Sequence, residues 1–263
     1  MKHLSKLMLI LASISTTVMA EEAQDESSFN VGVISQYRYR GIGQSGGKPA
    51  LQGGADFASA SGFYVGTWGS TIHWIKDSSD PEAVAPNSTS VKGPVELDIY
   101  GGYKFQAGDI DLDVGYLRYQ YLGNTLANTG MFSNANTNEF YGAATAGLFT
   151  AKYSRSTGNL FGNLNSKGST YLEASINFDL GDGLSLVPHV GRQKVANSSP
   201  NLSYTDIALT LNKDLGKGMS VSAAGISTNA PYSVTNPTTY YFPSQPSYNP
   251  TRATAVLGLK YSF

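Results

Sequence analysis

The sequence contains no cysteine among its 263 residues, and it has only two tryptophans and three histidines. The absence of cysteine excludes disulfides, thiol catalysis, cysteine-ligated metals and covalent haem attachment. The 18 lysines and arginines nearly balance the 19 aspartates and glutamates, so no excess of positive charge predicts binding to nucleic acid. Beyond the first twenty residues, no apolar run approaches the length of a membrane helix.

The N-terminal stretch MKHLSKLMLILASISTTVMA combines two lysines with an apolar core and ends in Val-Met-Ala. This pattern predicts a secretory signal peptide over residues 1–20, with cleavage after Ala20. We expect residues 21–28 to be a short N-terminal segment and residues 29–263 to form one large β domain.

Residues 41–46, GIGQSG, match the G-x-G-x-x-G pattern of dinucleotide-binding loops. That function requires a helix directly after the glycines, because the pyrophosphate sits on the helix N-terminus. Here Gly53 and Gly54 would interrupt a helix, and apolar residues recur at alternate positions as in a strand. The stretch therefore indicates strand, glycine-rich turn, strand, and we expect no cofactor.

Alternation of apolar and polar residues with period two runs through most of the chain, for example in VELDIYGGYKF and TYLEASINFDL. A soluble sandwich would also alternate, so the connections between strands carry more weight. Short connections rich in Gly, Asp and Ser alternate strictly with longer ones, which is typical of an outer-membrane barrel and not of a Greek-key sandwich.

The fold class predicted from this pattern is all-β: a transmembrane, antiparallel, up-and-down β-barrel with short periplasmic turns and longer extracellular loops. About twelve strands are predicted, over residues 29–40, 49–58, 62–74, 94–105, 109–121, 138–147, 149–155, 169–179, 184–192, 203–213, 219–227 and 253–263. The even number places both termini on the periplasmic side, in a bacterial outer membrane.

Two places depart from this pattern. The apolar phase slips between Tyr116 and Leu117, which predicts either a bulge or a position of Arg118 above the membrane. Around Trp68 and Ile72 neither phase is clean, so the sequence does not predict which way these side chains face.

Aromatic residues near the predicted strand ends suggest two girdles at the membrane interfaces. The periplasmic set is Phe29, Phe57, Phe63, Phe105, Phe178 and Phe263, and the outer set is Tyr37, Tyr39, Trp74, Tyr119, Tyr121 and Tyr153. The alternative is that the tyrosines are ordinary β-sheet residues. Many outer-membrane proteins end on phenylalanine, and we expect Phe263 to act as an assembly signal for the barrel assembly machinery.

Several stretches, in the order YRYRGIGQSGGKPALQGGADF, SGFYVGTWGS, VELDIYGGYKFQAGDIDLDVGYLRYQYLG, NEFYGAA and TYLEASINFDLGDGLSLVPHVG, resemble the TorF-type porin family over nearly the whole mature chain. Its most specific part is the corner R-G-I-x-Q-S followed by G-K-P-A-x-Q-G-G. The family pattern has Ser or Thr where this chain has Gly43. The resemblance implies an outer-membrane barrel with a porin role, and it implies no substrate and no residue roles.

If the apolar face meets lipid, the opposite face lines the lumen. That face carries seven acidic and five basic residues: Arg38, Arg40, Asp56, Glu96, Asp98, Lys104, Asp111, Asp113, Lys152, Glu173, Asp206 and Lys260. Such charges must be paired or hydrated in a narrow barrel. They predict either a polar channel with a transverse field across a constriction or a plugged barrel held by internal ion pairs.

At the end of the first strand, Tyr37 and Tyr39 are predicted to face the lipid interface while Arg38 and Arg40 point inward. The arginines would face acids of neighbouring strands, with Asp56 and Glu96 or Asp98 as candidates. The glycine-rich stretch would then form a compact turn above the rim.

The function predicted is passive diffusion of small polar solutes or ions, with outer-membrane lipids as surroundings and no enzymatic activity. One alternative is a structural or receptor barrel with a plugged lumen, in which the Pro- and Tyr-rich loop 228–252 binds a partner or folds inward as a gate. A lipid hydrolase is a further alternative, but His73 and His189 lie in no nucleophile motif. The sequence predicts neither the solute nor the oligomeric state.

Overall fold

A computed structural model describes residues 25–79, 91–236 and 239–263; the predicted signal peptide and its cleavage site lie outside the described residues. Twelve antiparallel strands in the described residues form a closed barrel: β1 (Glu26–Ile34), β2 (Ala50–Ala58), β3 (Phe63–Thr71), β4 (Val95–Ala107), β5 (Ile110–Leu122), β6 (Thr137–Ala146), β7 (Phe149–Ser156), β8 (Thr170–Ile176 continued by Phe178–Gly181), β9 (Leu184–Lys194), β10 (Tyr204–Gly216), β11 (Met219–Thr228) and β12 (Thr254–Ser262).

Each strand pairs with the next along the chain, and the ring closes between β1 and β12. β8 pairs with β7 on one side and with β9 on the other, so no strand edge is left open among the described residues. Closure satisfies the backbone hydrogen-bonding groups, as a sheet in lipid requires. The predicted fold class is therefore confirmed.

Side chains alternate between the two surfaces of the barrel wall because successive residues of a pleated strand point in opposite directions. In β1, Phe29, Val31 and Val33 are exposed on the outside, whereas Asn30 and Gly32 are partly buried inside. Apart from the first strand, each predicted strand end lies within three residues of the observed one.

The first strand is the exception. β1 begins at Glu26, inside the segment predicted to precede the barrel, and it ends at Ile34 instead of residue 40. Ile34 pairs directly with Ala50 of β2, and the Ser35 amide still donates to the Leu257 carbonyl of β12, so the chain leaves the wall just after this point. We call residues 35–49 the inserted segment, because they fold into the barrel instead of crowning it.

The two places where the sequence departs from regular alternation, around Arg118 and around Trp68, are both regular in the structure. β5 pairs with β4 from Ile110 to Leu122 without a register shift, so the bulge, one of the two alternatives, is excluded. Arg118 lies on the outer surface toward the extracellular end, where its guanidinium donates hydrogen bonds to Gln120 and Asn138. Trp68 and Ile72 are both buried inside the barrel.

The outer aromatic girdle is wrong for four tyrosines and for Trp74, which lies in the helix after β3 and packs edge to face on Tyr121. Tyr37, Tyr119 and Tyr121 are buried, and Tyr39 lies among them; all four belong to or pack against one cluster inside the barrel. Inside the barrel the hydroxyls of Tyr37, Tyr39 and Tyr119 have hydrogen-bond partners, as buried tyrosines usually do. Tyr153 is exposed on the outside, as are the six phenylalanines expected near the periplasmic ends.

A four-residue helix, α1 (Trp74–Asp77), follows β3, and a 3₁₀ turn (Leu126–Thr129) follows β5. Within the described ranges, no helix is long and apolar enough to cross a membrane.

Candidate functional site

The inserted segment forms a small hairpin inside the barrel. Its strands pair Arg38 with Gly43 and Tyr39 with Ile42, and the Gln44 amide donates to the Tyr37 carbonyl at 2.8 Å. Gly41 occupies the left-handed region at φ +80°, and a Cβ there would lie 2.7 Å from Cβ of Asp206 in the wall. Residues 41–46 are buried, so the prediction of a compact turn above the rim is wrong.

One side of the inserted segment packs against the aromatic wall, which we define as the inward side chains of Trp68, Tyr100, Tyr119, Tyr121 and Tyr141 on β3 to β6. The Tyr37 ring meets Trp68 edge to face at 5.5 Å, and its hydroxyl donates to Oε1 of Glu96 at 2.7 Å. The Tyr39 hydroxyl hydrogen-bonds to that of Tyr119. These contacts fix the hairpin against one half of the barrel.

Arg40 anchors the tip of the inserted segment. Its guanidinium forms a bidentate pair with Glu139 of β6, at 2.7 and 3.0 Å, and it donates to Oε1 of Gln193 at 2.9 Å. It also lies 4.1 Å from the ring centroid of Tyr171. Arg40 and Glu139 are both almost completely buried, so each charge needs the other.

Arg38 is held differently. Its Nε donates to Gln36 at 2.7 Å, and its Nη1 donates to the carbonyls of Gly41 at 3.0 Å and Pro250 at 2.8 Å. Arg38 forms no ion pair with any carboxylate in the described part of the chain. The predicted partners of the two arginines, Asp56 and Glu96 or Asp98, are therefore wrong.

A second polar cluster lies on the wall beside the segment. Nε2 of His189 is 3.1 Å from both the Tyr171 hydroxyl and Oδ2 of Asp206, and its Nδ1 is 3.7 Å from Oε2 of Glu173. The Tyr171 hydroxyl also donates to Oδ1 of Asp206 at 3.0 Å. Since Gly41 packs on Asp206, this cluster buttresses the segment from the wall.

Nearer the periplasmic end of the barrel, tyrosine hydroxyls donate hydrogen bonds to inward-facing aspartates. The Tyr100 hydroxyl donates to Asp56 at 2.5 Å, and the Tyr64 hydroxyl donates to Asp113 at 2.6 Å and hydrogen-bonds to Tyr141. Tyr64 and Tyr141 come from β3 and β6, so this bond bridges part of the lumen.

Two lysines lie over phenol rings in the same region. Lys152 Nζ lies 4.2 Å from the ring centroid of Tyr141, and Lys104 Nζ lies 5.1 Å from that of Tyr64. The charged side chains in this region of the lumen therefore contact separate phenol groups instead of forming one ion-pair cluster.

The sequence-predicted lumen residues thus occupy three environments. Arg38 and Arg40 lie on the inserted segment, and Glu96, Asp98 and Asp206 are buried in the wall. The others, which are partly buried or exposed along the strands, are Asp56, Lys104, Asp111, Asp113, Lys152, Glu173 and Lys260. These residues do not form the two clusters of opposite charge that were predicted to face each other. The buried Arg40 pairs instead with Glu139, which lies outside the predicted set.

Glu139 and Gln193 were missed from the sequence, although both contact Arg40. Alternation could have identified Glu139, since its neighbour Phe140 is a large apolar residue that belongs on the lipid face. Gln193 carries no charge and has no comparable signal. Its partnership with Arg40 spans 153 residues of sequence.

Two cavities lie beside the inserted segment, and Arg38 lines both. The first, of about 220 Å³, is bounded by Arg40, Lys152, Glu173 and His189 among others. The second, of about 290 Å³, extends toward the periplasmic ends of the strands, down to Asn30 and Lys260.

Part of the lining of the second cavity consists of small side chains. We define the small-residue wall as Gly32, Ala208, Ser222, Ala224 and Gly258 on β1 and β10 to β12. Four of these residues line the second cavity, and Ala208 lines the first.

Extracellular loops form a roof over the inserted segment. The Gly43 amide donates to the Pro250 carbonyl at 2.9 Å, and the Ser79 and Ser244 hydroxyls are 2.7 Å apart. Gln245 donates to Oδ1 of Asp77 at 3.2 Å, while Oδ2 of Asp77 has no hydrogen-bond partner in the described part. Burial raises the pKa of the Asp77 carboxyl.

An aromatic pocket of about 90 Å³ lies between this roof and the segment. Its lining includes Tyr39, Trp74, Tyr121, Phe161 and Tyr240. Because Tyr39 borders both this pocket and the first lumen cavity, the hairpin forms the layer between them. In the described ranges, no group of three or more His, Cys, Asp or Glu residues is arranged to hold a metal ion.

Comparison with solved structures relates this geometry to other barrels. Two structures of the KdgM porin, one of them in complex with disordered oligogalacturonate, align with TM-scores of 0.52 and 0.51 at 9% identity, over 90% of this chain and 99% of theirs. Outer membrane phospholipase A from Escherichia coli aligns with a TM-score of 0.43 at 12% identity, over 90% of this chain and 91% of that one. The barrel thus resembles bacterial outer-membrane porins in fold.

No curated protein sequence matches the chain. A family model described as "Bacterial protein of unknown function (Gcw_chp)" matches residues 20–258, which reach from before β1 into β12. Since this match spans nearly the whole barrel, the chain belongs to the Gcw_chp family of bacterial proteins.

Proposed function

We propose that the protein is an outer-membrane channel for passive diffusion of small polar solutes, and that the inserted segment is its constriction. The observation that carries this proposal is the pair of cavities, each lined in part by charged and polar side chains, that flank Arg38 inside a closed twelve-strand barrel. Twelve strands enclose more space than eight, whose interior side chains fill it, and less than the sixteen of wide porins. The expected channel is therefore narrow.

The KdgM similarity supports a porin role at the level of fold. One of the KdgM structures is a complex with oligogalacturonate, which is a polar carbohydrate, and we propose that the present barrel admits small polar solutes of its own. The resemblance to the TorF-type porins stays a prediction that agrees with this function.

Reconstitution of the purified protein into planar bilayers tests the channel. We expect discrete conductance steps that are smaller than those of a sixteen-stranded porin under the same salt. A matched preparation that has been heat-unfolded serves as control. Bilayers that stay silent at protein densities giving many insertion events would overturn the channel.

The second candidate is a receptor or structural barrel with a plugged lumen. The observation that favours it is the aromatic pocket beneath a roof that is hydrogen-bonded to the inserted segment. Such pockets, apolar with a few polar groups, are common ligand sites. If bilayers stay silent while a ligand protects Trp74 from fluorescence quenching, this candidate replaces the channel.

Enzymatic activity is not part of the proposal. His189 faces the lumen and bonds to Tyr171 and Asp206, and among the described residues neither it nor His73 has a serine hydroxyl as hydrogen-bond partner. A lipid hydrolase would need its nucleophile and base within hydrogen-bond reach of each other. Absence of lipid hydrolysis by the conducting preparation is the expected result.

We also propose that the barrel resides in the outer membrane, among its lipids, and is inserted by the barrel assembly machinery. Phe263 is 66% exposed, and its backbone exchanges two 2.9 Å hydrogen bonds with Phe29 at the seam. Deletion of Phe263 should lower the amount of folded, heat-modifiable protein in the outer membrane. An epitope at Thr235 should be accessible on intact cells, whereas one at Asp182 should not.

A further inference from the structure

We propose that Arg38 binds the carboxylate of a small hydroxylated anion, a sugar acid in chemical class, as it passes the inserted segment. The inference rests on the proposed channel function and names its substrate class. It assigns different roles to the two arginines of the segment, because Arg40 positions the hairpin while Arg38 contacts the solute.

The two guanidinium groups differ in what already satisfies them. Arg40 spends both terminal nitrogens on Glu139 and Gln193 in a buried site, so a solute could bind it only by breaking a buried ion pair. Arg38 is only partly buried, and its partners are the neutral Gln36 side chain and two carbonyls. These bonds orient the guanidinium without cancelling its charge.

Arg38 borders both cavities, whereas Arg40 borders only the first of them. Arg38 lines the 220 Å³ and the 290 Å³ cavities, and Thr210 and Ile226 line both as well. A solute moving from one cavity to the other along the small-residue wall would therefore pass the guanidinium.

The chemistry of the second cavity favours an anion with hydroxyl groups. Its charged lining residues are Arg38 and Lys260, and no acidic side chain of the described residues lines it. The rest of the polar lining is neutral amides and hydroxyls: Asn30, Gln52, Thr210, Asn212, Ser220 and Ser222.

Nε and Nη1 of Arg38 donate to Gln36, Gly41 and Pro250, and Nη2 donates no hydrogen bond within the described residues, so its two N–H groups can donate to a carboxylate. Neutral amides and hydroxyls recognise hydroxyl groups. The cavity is at the lower end of the sizes that hold small molecules, which fits a single sugar acid better than a long chain.

The test uses gluconate and glucose, which are similar in size and hydroxylation but differ in charge. Full-length protein in planar bilayers or liposomes is compared with its Arg38→Gln, Arg38→Lys and Arg118→Gln variants. Arg118→Gln is the matched control, because it removes the same charge from the outer surface of the barrel. The measured quantity is the permeability ratio of gluconate to glucose.

We expect Arg38→Gln to lower this ratio by about tenfold, because a charge-assisted hydrogen bond is lost. Arg38→Lys should recover part of it, since it keeps the charge but cannot reproduce the bonds from Nε and Nη1 that orient the guanidinium. A purely structural role of Arg38 would loosen the segment and raise both permeabilities together. An unchanged ratio in a conducting Arg38→Gln variant overturns the inference.

A binding measurement separates this inference from the channel itself. Gluconate binding to detergent-purified protein is followed by titration calorimetry, with glucose as the control ligand. If the wild type binds gluconate and Arg38→Gln does not, but neither conducts, the channel fails and the anion site stands. If the wild type conducts but neither prefers nor binds gluconate, the anion site fails and the channel stands.

Discussion

The aromatic wall and the small-residue wall face the same lumen, but large side chains of the first fill it and small side chains of the second leave it open. Along the aromatic wall, Trp68 and Tyr119 meet rings of the inserted segment, and a buried glutamate accepts a hydrogen bond from Tyr37. Along the small-residue wall, glycine, alanine and serine leave open cavities. The hairpin is thus bound to the aromatic wall and, at its tip, contacts Asp206 of β10, while open space remains beside the small-residue wall.

This difference shows that the lumen of a small barrel need not be narrowed evenly around the barrel axis. Large side chains and the tip contacts supply the attachment for the inserted segment, and small side chains leave a path beside it. Because the two sets of side chains occupy different positions in the wall, variants can disturb the attachment and the path separately.

The strongest way to break the comparison is to remove the inserted segment. Ile34 and Ala50 are paired, so a two-residue hairpin turn can replace residues 35–49 without changing the register. We expect a several-fold rise in single-channel conductance, because the path would then extend to the aromatic wall. Unaltered heat modifiability is the control for folding. A variant that conducts like the wild type would show that the segment does not limit flow.

The next largest effect should come from the buried pair at the tip. Arg40→Gln leaves Glu139 charged and unpaired, which costs about 3–5 kcal/mol of attachment energy. We expect frequent transitions to a higher conductance level and trypsin cleavage inside the inserted segment. The double variant with Glu139→Gln should behave more like the wild type, because no unpaired charge remains. Equal behaviour of the single and double variants would argue against the pair as anchor.

A steric substitution at Gly43 tests the attachment of the hairpin to the roof. Gly43 lies against the Tyr248 phenol and Pro250, so Gly43→Val must push the hairpin away from the roof, at a cost of about 1–3 kcal/mol. The matched control is Gly225→Val, because a Cβ at Gly225 meets nothing within 4 Å. Gly43→Val should raise conductance noise, and Gly225→Val should not. The same response from both variants would point to a general effect of valine.

The smallest effect concerns pH at the roof. The pKa of Asp77 is raised by burial, so the docked roof binds the proton more tightly than the undocked one. Docking should therefore be strongest below the ordinary aspartate pKa and should weaken as pH rises through the raised value.

The natural absence of cysteine makes this measurable. Ser79→Cys with Ser244→Cys reports docking by the rate of disulfide formation. Asp77→Asn, compared at each pH, should show the higher docked fraction at neutral pH. Identical rates with Asp and Asn at every pH would remove Asp77 as the cause.

The wall of the barrel was predictable because lipid imposes a rule on every second residue. In β1 and β12 the outward positions are apolar, for example Val31 and Leu257, and this alternation predicts both the strands and their facing. The failure in β1 has the same origin. The stretch YRYR continues the alternation past Ile34, so nothing local marks the point where the chain leaves the wall.

The interior was less predictable because its order depends on distant partners. Tyr37 is 59 residues from Glu96, and no local pattern predicts that its hydroxyl donates there instead of facing the interface. The prediction placed Arg38 and Arg40 inside but gave them the same role. Their difference arises from Glu139 and Pro250, which only the closed barrel brings near.

The inserted segment has a consequence for the order of assembly. It follows the first strand, yet Arg40 bonds residues 99 and 153 positions away and Arg38 bonds one 212 positions away. Contacts of such sequence separation form late, because the intervening loops must close first. Arg38 therefore cannot complete its contacts until Pro250, which lies just before β12, has been brought beside it. Docking of this segment would report that the loop before β12 is in place, and a barrel halted earlier would hold the segment without that contact.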